Sequence, residues 1–578
     1  MRRLLSLVLA LLVLGTIPHA SAAAKGVTAG PPMNYRRIAG LSQPKYRATI
    51  HTVYRLPAAD GVKLYVEVTR PKSSGRFGVI AEFSPYHGTV YDRDGARILP
   101  TDGGLVKYFV PRGYAVVMLD LRGTGRSQGC LDLLGPTDRA DIKRVIEWAA
   151  GQPWSNGRVG MVGHSYPAAA SVAALSQRPK GLVTAVVSAG LASMYNHQFQ
   201  AGVPYDALWV GPIAAYQTLA TERQLPPGFS DPVEGGRTGD DFGNDPQYFG
   251  CGLLSSAAFK GSAELTGQYV QWDRDRDFSA AAAAAPVPIF AIHGVNDDAA
   301  RIIMLDWFLK RIGRVRGPDG KPIVDKLWLG QWTHGVGCCP NQRAKQWTAA
   351  LHAWFDKYLQ QRNVDTGPPV EVFLADGSQT DAVPAGRTEI FTTKTFPGQP
   401  RMLDLSPTTT GRLSPDQGRP GSMSFVGTPF GYPSLTFATK PLSSDVLMTG
   451  VPQLSVAASM TMPMTYIIAN LYEENPDGDM RRLSVFAINP ILRESLETLS
   501  PVLAGQRYVL HPPGWPMAQH VRKGDRLVLE ITTADNTDKF PFFSTDPNVV
   551  IYTGTPDTVL RVPVIDNPVL YDDNLPLK

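Results

Sequence analysis

Arg158-Val-Gly-Met-Val-Gly-His-Ser-Tyr-Pro-Ala168 is the stretch that decides the fold. A short apolar run ends at Gly163-His164-Ser165, and a helix-forming, alanine-rich segment follows at once. A serine on so sharp a strand-to-helix turn is held out from the edge of a sheet, where its hydroxyl can attack a carbonyl carbon. The tripeptide Gly-x-Ser alone is weak evidence for a nucleophile, since many such tripeptides are only turns. The strand before it and the helix after it are what favour a nucleophile.

The segments around this turn alternate between short apolar runs and amphipathic stretches. Strands are predicted at Ala48–Arg55, Lys63–Arg70, Gly78–Phe83, Tyr114–Leu119, Arg158–Val162, Leu182–Ser188, Val287–His293 and Lys326–Leu329. Helices are predicted at Asp138–Gly151, from Ala168 onwards and at Lys345–Leu359. Strands that alternate with helices favour parallel crossover units, and therefore an α/β sheet with helices on both faces.

Two regions break this alternation. Residues 189–285 contain aromatic and Gly/Pro-containing segments, and we expect an insertion over the sheet, with Asp273–Asp277 on a solvated surface. Residues 364–578 carry many short β-like runs between Gly, Pro and Asp turns, among them Val370–Leu374, which indicates an all-β sandwich. The chain has 578 residues, more than one hydrophobic core usually holds, so at least two domains are expected.

The N-terminus has the three parts of a secretory signal peptide. A basic start at Arg2-Arg3 precedes the apolar run Leu4–Ile17, and Ala20-Ser21-Ala22 supplies small residues for cleavage after Ala22. The alternative is a membrane anchor, but the run is shorter than the ~20 residues that a spanning helix needs. We therefore expect a periplasmic or secreted protein with a loose leader at residues 23–45 and no stable membrane insertion after cleavage.

Composition excludes some classes of partner. Hydrophobic residues make up 43% of the chain and charged residues 19%, which is ordinary for a soluble globular protein. The net charge of +5 is spread along the chain without a Lys/Arg block, so nucleic acid is not an expected partner.

The predicted export places the four cysteines of the chain in an oxidising compartment: Cys130, Cys251, Cys338 and Cys339. An even number there suggests disulfides, and a bond between the two adjacent cysteines would be strained. We expect Cys130 and Cys251 each to pair with one of that adjacent couple. The alternative is four buried free thiols. The spacing does not suit a zinc site, and no metal is expected.

A serine hydroxyl needs a base, and the base needs an acid to orient it. In parallel sheets that carry such a serine, these follow in the chain order Ser, Asp, His, after later strands. Gly294-Val-Asn-Asp297 follows one predicted strand, and Gly330-Gln-Trp-Thr-His334 follows another. Asp298 is the rival to Asp297, and either carboxylate could instead cap a helix. Other histidines lack the strand-then-Gly context: His87, His164, His197 and His352.

Further motifs occur in order along the chain, namely Gly113–Gly129, Gly135–Asp138, Ile146–Trp148, Gln152–Gly157 and Gly163–Tyr166. In these motifs, and along nearly the whole mature chain, the sequence resembles the cocaine esterase and Xaa-Pro dipeptidyl-peptidase family. That family also includes α-amino-acid ester hydrolases. The resemblance implies an α/β-hydrolase domain at 46–188 and 286–363. It also implies a helical cap at 189–285 and a C-terminal jelly-roll, galactose-binding-like domain at 364–578.

The resemblance also assigns roles to residues. The family nucleophile falls on Ser165, the acid on Asp297 and the base on His334. The family's second oxyanion donor, a tyrosine hydroxyl in a Pro-Tyr pair, falls on Tyr86. The first donor is the backbone N–H of Tyr166, at the start of the helix.

These roles imply an exported serine hydrolase that cleaves an ester or amide in a small molecule or short peptide without a cofactor. Both a carboxylesterase and a dipeptidyl-peptidase fit. An α-amino-acid ester hydrolase or acylase is disfavoured, because Ala299, Ala300 and Phe199 stand near the positions of that subgroup's ammonium-binding carboxylates. A different class, a non-catalytic carbohydrate-binding protein, is the remaining alternative.

Overall fold

The computed structural model describes residues 29–87, 98, 102–205, 266–334, 341–375, 388–427, 433–463, 465–534 and 547–572. The first strands are β1 (Thr49–Pro57), β2 (Lys63–Pro71), β3 (Phe77–Ser84), β4 (Tyr114–Asp120), β5 (Ser155–His164), β6 (Leu182–Ser188), β7 (Phe199–Gln200), β8 (Val203–Pro204), β9 (Ile289–Gly294) and β10 (Lys326–Gly330). The α-helices are α1 (Gly104–Phe109), α2 (Pro136–Ala150), α3 (Tyr166–Gln177), α4 (Met194–Gln198), α5 (Gln271–Asp275), α6 (Ser279–Ala283), α7 (Asp306–Leu309) and α8 (Asn341–Tyr358). Short 3-10 helices lie at Tyr35–Arg37, Val110–Arg112, Ile302–Leu305 and Pro490–Leu492.

The later strands are β11 (Val370–Ala375), β12 (Thr388–Thr393), β13 (Arg401–Pro407), β14 (Leu413–Ser414), β15 (Gly421–Val426), β16 (Ser434–Ala438), β17 (Val446–Gly450), β18 (Gln453–Met460), β19 (Ile467–Glu474), β20 (Met480–Ile488), β21 (Tyr508–Leu510), β22 (Met517–Val521), β23 (Arg526–Thr532), β24 (Asn548–Thr553), β25 (Val559–Asp566) and β26 (Tyr571–Asp572). Among the described residues, no helix is both long and apolar enough to span a bilayer.

One large sheet organises the N-terminal part of the chain. Its strands lie in the order β1-β2-β4-β3-β5-β6-β9-β10-β11-β12-β26. Neighbours from β4 to β11 are parallel, and the pairs at both ends are antiparallel. The chain order reverses around β3, where β4 lies on one side and β5 on the other, and ligand sites of open α/β sheets form beside such a reversal. The predicted α/β-hydrolase fold is thus observed.

Both faces of the parallel strands are buried, because apolar residues occupy consecutive positions. In β4, Val117 and Leu119 pack in one core with α2 and α3, whereas Val116 and Met118 pack in a second core with α8. Every residue of β4 is buried. Continuous apolar runs are therefore the signature of this sheet, as expected when helices cover both faces.

The C-terminal part forms two antiparallel sheets over a shared core. One sheet contains the path β14-β13-β25-β18-β24-β15 with β17, β21 and β22, and the other has the order β16-β23-β19-β20. Leu560 and Val456 from the first sheet and Leu471 and Leu529 from the second belong to one apolar cluster. An all-β domain follows the α/β domain, as predicted.

The assignment of Val370–Leu374 to the β sandwich is wrong. This segment is β11, which pairs in parallel with β10, and β12 and β26 extend the same sheet beyond it. Val370, Val372 and Phe373 are buried in the two cores of the central sheet. A short apolar run predicts a strand but does not identify the sheet that it joins.

The expectation of a loose leader is also wrong for the part that the structure describes. Tyr35 is 1% exposed and lies edge-on to Trp328, with ring centroids 5.3 Å apart. Its hydroxyl donates to Glu371 Oε2 at 2.6 Å, and Glu371 also accepts from Lys326 Nζ at 3.0 Å. The leader therefore satisfies a buried carboxylate of the central sheet.

The insertion is only partly described, since residues 206–265 lie outside the described residues. Its two ends carry α4, β7 and β8 before that gap, and α5 and α6 after it. The prediction of a solvated surface at Asp273–Asp277 is confirmed for Arg274, whose side chain is 41% exposed, and is wrong for Asp273 and Arg276, which are buried. Asp273 is 1% exposed and accepts the Val270 N–H, and Arg276 donates to Asp132 at 2.6 Å. The Arg276–Asp132 pair holds the insertion against the loop before α2, and Asp273 holds the start of α5.

A buried ion pair fastens the start of β9 and β10 to the insertion. Arg311, 2% exposed, makes two parallel hydrogen bonds of 2.9 Å to Asp325. Its other N–H groups donate to the carbonyls of Ala283 and Ala285 at 3.1 and 2.9 Å. Such carbonyls at a helix end have no donor within the helix. Asp325 also accepts the N–H of Ile289 at 3.0 Å, so both partners are fully used.

We predict that Arg311→Met lowers the free energy of unfolding by about 3–5 kcal/mol, because it leaves the Asp325 carboxylate buried without its cation. Urea denaturation measures this change. The matched control is Arg401→Met, which removes a two-point contact with Asp566 from a half-exposed site, and we expect a loss of about 0–1 kcal/mol there. Equal losses in the two variants would contradict the assigned importance of the buried pair.

Candidate active site

The predicted nucleophile lies on a strained turn between β5 and α3. Ser165 has φ 64° and ψ −128°, a conformation that L residues rarely adopt and that persists only where the surrounding structure enforces it. The enforcing contact is at Gly163, where an added Cβ would lie 2.3 Å from the carbonyl carbon of Pro167. Only glycine lets the strand end and the helix start approach so closely. The turn presents the Ser165 hydroxyl at the carboxyl edge of the sheet.

His334 lies between this serine and a carboxylate. His334 Nε2 is 3.0 Å from Ser165 Oγ, and Nδ1 is 2.9 Å from Asp297 Oδ2. A carboxylate only accepts, so Nδ1 carries the proton and donates to Asp297. Nε2 is then an acceptor that faces the serine hydroxyl. The three predicted residues therefore meet in one continuous chain of hydrogen bonds.

Asp297 is held rigidly from both sides. It is 2% exposed, and its Oδ1 accepts the N–H groups of Ala299 and Ala300 at 3.0 and 2.7 Å. The capping alternative is wrong, because the next helix begins at Ile302 with Arg301 as its N-cap, and Asp297 instead holds its own loop while it holds His334. Asp298, the rival, has an exposed side chain.

The sheet explains why residues so far apart in sequence meet. Ser165 follows β5, and Asp297 and His334 follow the neighbouring strands β9 and β10. Because these strands are parallel, all their carboxyl ends lie at one edge. At Gly294 an added Cβ would lie 2.0 Å from the carbonyl oxygen of Trp332, so the acid's loop and the base's loop are in direct backbone contact.

The two tyrosines that are predicted to supply the oxyanion donors have neighbouring side chains. Tyr166 is the first residue of α3, and the first N–H groups of a helix have no intrahelical acceptor. Tyr86 follows β3, the strand beside β5, and its ring centroid is 6.3 Å from that of Tyr166. The Tyr86 N–H donates to Ser84 Oγ at 3.0 Å, which fixes the turn after β3.

A buried charge cluster supports the segment that carries Tyr86. His87 is fully buried, with Nδ1 3.5 Å from Asp120 Oδ1 and Nε2 3.9 Å from Glu82 Oε2. Burial alone would lower the pKa of His87, but the carboxylates of Asp120 and Glu82 raise that pKa to about 9. The imidazolium therefore ties this segment to β3 and to the end of β4 at neutral pH.

The β domain contacts both the insertion and the loop that carries the base. Trp515 Nε1 donates to Gln200 Oε1 at 2.8 Å, and Gln200 in turn donates to the carbonyl of Pro513 at 2.7 Å. Gln331, three residues before His334, donates to the carbonyl of Ala518 at 2.5 Å. The loop that carries the base is thus fastened to the β domain as well as to the central sheet.

Two histidines beside the site were not predicted from the sequence. His164 Nε2 lies 3.2 Å from the carbonyl oxygen of His334. His197, on α4, is 8% exposed, and burial together with the charge of Arg301 lowers its pKa to about 4. Adjacency to the serine was the available signal for His164. No signal was available for His197, because the insertion has no periodic pattern.

Of the predicted disulfide cysteines, Cys130 lies within the described residues, and its sulfur is not a free thiol. Cys251, Cys338 and Cys339 lie outside them, so the pairing stays a prediction. In the part of the chain that the structure describes, no three His, Cys, Asp or Glu side chains are grouped so as to hold a metal ion.

The chain is similar to known protein families along most of its length. Residues 60–336 match the model of the X-Pro dipeptidyl-peptidase (S15) family, and residues 362–558 match that of the X-Pro dipeptidyl-peptidase C-terminal non-catalytic domain. A protein of Streptomyces avermitilis that is assigned as an Xaa-Pro dipeptidyl-peptidase is 26% identical over 72% of this chain. The cocaine esterase of Rhodococcus sp. (strain MB1 Bresler) is 31% identical over 28% of this chain and 26% of its own length.

The alignment covers 62% of the Streptomyces relative, so the chain spans about three-fifths of that protein's length. Among solved structures, a CocE/NonD family hydrolase from Staphylococcus aureus has a TM-score of 0.69 at 17% identity, over 93% of this chain and 99% of its own. An α-amino acid ester hydrolase has a TM-score of 0.61 at 17% identity, over 93% of this chain and all of its own. These likenesses extend the shared fold across both domains. The chain therefore combines a domain of the X-Pro dipeptidyl-peptidase (S15) family with the C-terminal non-catalytic domain of the same family, and its fold is that of the α/β-hydrolases.

Proposed function

We propose that this chain is an exported serine hydrolase that cleaves an ester or amide bond through an acyl-enzyme on Ser165. The observation that carries the proposal is the hydrogen-bonded chain from Ser165 Oγ through His334 to Asp297, with contacts of 3.0 and 2.9 Å. Serine hydroxyls acquire their reactivity from such a base, and the base acquires its orientation from the acid.

In the first step, His334 Nε2 takes the proton of the Ser165 hydroxyl while Oγ attacks the carbonyl carbon of the substrate. The carbonyl π-electron pair moves to oxygen, and the N–H of Tyr166 and the hydroxyl of Tyr86 donate to that oxyanion. Asp297 stabilises the imidazolium that forms. The C–O or C–N bond then breaks, and His334 returns its proton to the leaving alcohol or amine.

In the second step, water replaces the leaving group and attacks the acyl-enzyme with His334 again as the base. Collapse of the second tetrahedral intermediate releases a carboxylic acid and restores the Ser165 hydroxyl. These steps use groups of the chain itself together with water, and they are the same for a carboxylesterase and for a dipeptidyl-peptidase. The difference between the two lies in what binds beyond the scissile bond.

Export rests on the N-terminal sequence. The basic start, apolar run and Ala20-Ser21-Ala22 have the composition of a cleaved signal, and the cysteines then mature where disulfides persist. We propose that Cys130 and Cys251 each pair with one of Cys338 and Cys339, which would tie the insertion to the segment after His334.

We predict that Ser165→Ala lowers kcat by about 10⁴-fold or more and that Asp297→Asn lowers it by about 10³- to 10⁴-fold, since the second change loses the orienting acceptor of His334. Hydrolysis of a nitrophenyl ester measures both. The matched control is Ser171→Ala in the same helix, whose hydroxyl donates to the carbonyl of Pro167, and we expect it to retain activity. Full activity of Ser165→Ala would refute the nucleophile.

Substrate class is tested by kcat/KM for a short-chain nitrophenyl ester and an Ala-Pro nitroanilide, with Ser165→Ala as the blank. We expect Ser165-dependent cleavage of the ester, because nitrophenolate leaves with little help from His334. Cleavage of the anilide as well would identify a site that accepts a free N-terminal dipeptide. Failure to cleave either substrate would favour the non-catalytic, carbohydrate-binding alternative.

Intact-mass analysis of the protein exported by a bacterial host tests export and disulfides together. We predict a chain that begins after Ala22 and whose mass is lower by two hydrogens for each of two disulfides, a loss that reduction restores. Cys130→Ser is the control and should leave one thiol open to alkylation. A chain that retains residues 1–22, or that shows four free thiols, would contradict this part of the proposal.

A further inference from the structure

We infer that His164 is a positioning residue, which sets the distance between Ser165 and His334 by holding the backbone carbonyl of His334. The inference rests on the proposed function and assigns a role to a side chain that the acyl-transfer steps do not use. His164 is the last residue of β5 and is 2% exposed. Its ring centroid is 5.0 Å from that of His334, with an angle of 36° between the planes.

The two ring nitrogens of His164 have different partners. Nε2 lies 3.2 Å from the carbonyl oxygen of His334, and Nδ1 lies 3.0 Å from Ser188 Oγ. A carbonyl oxygen only accepts, so Nε2 carries the proton and donates. Nδ1 of the neutral ring is then an acceptor, and the Ser188 hydroxyl donates to it. The two contacts together specify one tautomer.

Ser188 also holds the nucleophile. It ends β6, pairs in register with His164 of β5, and its carbonyl accepts the Ser165 N–H at 2.9 Å. The side chain of Ser188 thus orients His164, while its backbone holds Ser165. Through these bonds, one residue of β6 relates the position of the serine to that of the base.

The effect on the base follows from geometry. His334 lies four residues beyond the end of β10. The hydrogen bond that its backbone carbonyl accepts from His164 fixes the backbone close to the imidazole of His334. The productive contact between His334 Nε2 and Ser165 Oγ is 3.0 Å, so a shift of the backbone would lengthen it directly. A misplacement of about 1 Å can cost about 10²-fold in rate.

A neutral His164 also suits the chemistry. When His334 takes the serine proton, it becomes a cation, and a second cation at the neighbouring ring would disfavour that state. In the neutral ring Nδ1 accepts from Ser188, so the two contacts of His164 require no second proton. His164 therefore holds the base without opposing its protonation.

The test compares His164→Met with His164→Gln, which have similar length and shape and differ in that only glutamine can donate to the His334 carbonyl. The readout is the covalent labelling of Ser165 by a fluorophosphonate, resolved into kinact and KI, because this reaction needs the base but not the natural substrate. We expect His164→Met to lower kinact about 10- to 100-fold with KI unchanged. His164→Gln should restore kinact to within about threefold of the wild type.

His352→Met is the matched control for the loss of a buried histidine. His352 is 2% exposed, lies on α8, and shares a 2.7 Å contact with Ser42, so its loss should affect thermal stability and leave kinact unchanged. Should His164→Met not fold, Ser188→Ala leaves the ring in place and removes only its orienting donor. We then expect a smaller fall in kinact, again with KI unchanged.

Equal kinact for His164→Met and the wild type, or an equal fall for His164→Met and His164→Gln, would overturn the positioning role while leaving the proposed function intact. A wild-type protein that is not labelled at Ser165 would overturn the proposed function and this inference with it.

Discussion

The close backbone contact at the end of β5 is the constraint on which the site depends. With no Cβ at Gly163, the strand end and Pro167 approach within a distance that no other residue allows, and Ser165 is left at φ 64°. The strain of this conformation is offset by the surrounding bonds, among them that from the Ser165 N–H to the Ser188 carbonyl. The hydroxyl is therefore fixed before any substrate arrives, which is the condition for an oriented attack.

The rest of the molecule holds the loops of the acid and the base in place relative to this serine. The parallel strands bring the loops of Asp297 and His334 to the same edge, and backbone contact between those loops holds the acid to the base. Gln331 connects the base's loop to the β domain, and His164 connects it back to the strand of the nucleophile. The β domain is thus part of the framework of the site and not only an appended module.

Much of the central sheet and of the catalytic site could be predicted from the sequence. Buried parallel strands are continuous apolar runs, and the nucleophile turn has a local pattern of strand, Gly-x-Ser and helix. The chain order Ser, Asp, His then limited the candidates for the acid to Asp297 and Asp298 and favoured His334 as the base. Sheet membership could not be predicted: Val370–Leu374 has the composition of any buried strand, and its partner β10 is set by tertiary packing. The burial of Tyr35 depends on a carboxylate at Glu371, more than 300 residues away in sequence, which no local pattern reveals.

The central claim is that Ser165 is the nucleophile and that His334 activates it. Mass-spectrometric mapping of the residue modified by a fluorophosphonate tests this most directly, in the wild type and in His334→Ala. The account predicts an adduct on the peptide that contains Ser165, and its near absence in the variant over the same time. An adduct on a different residue, or equal modification of both proteins, would contradict it.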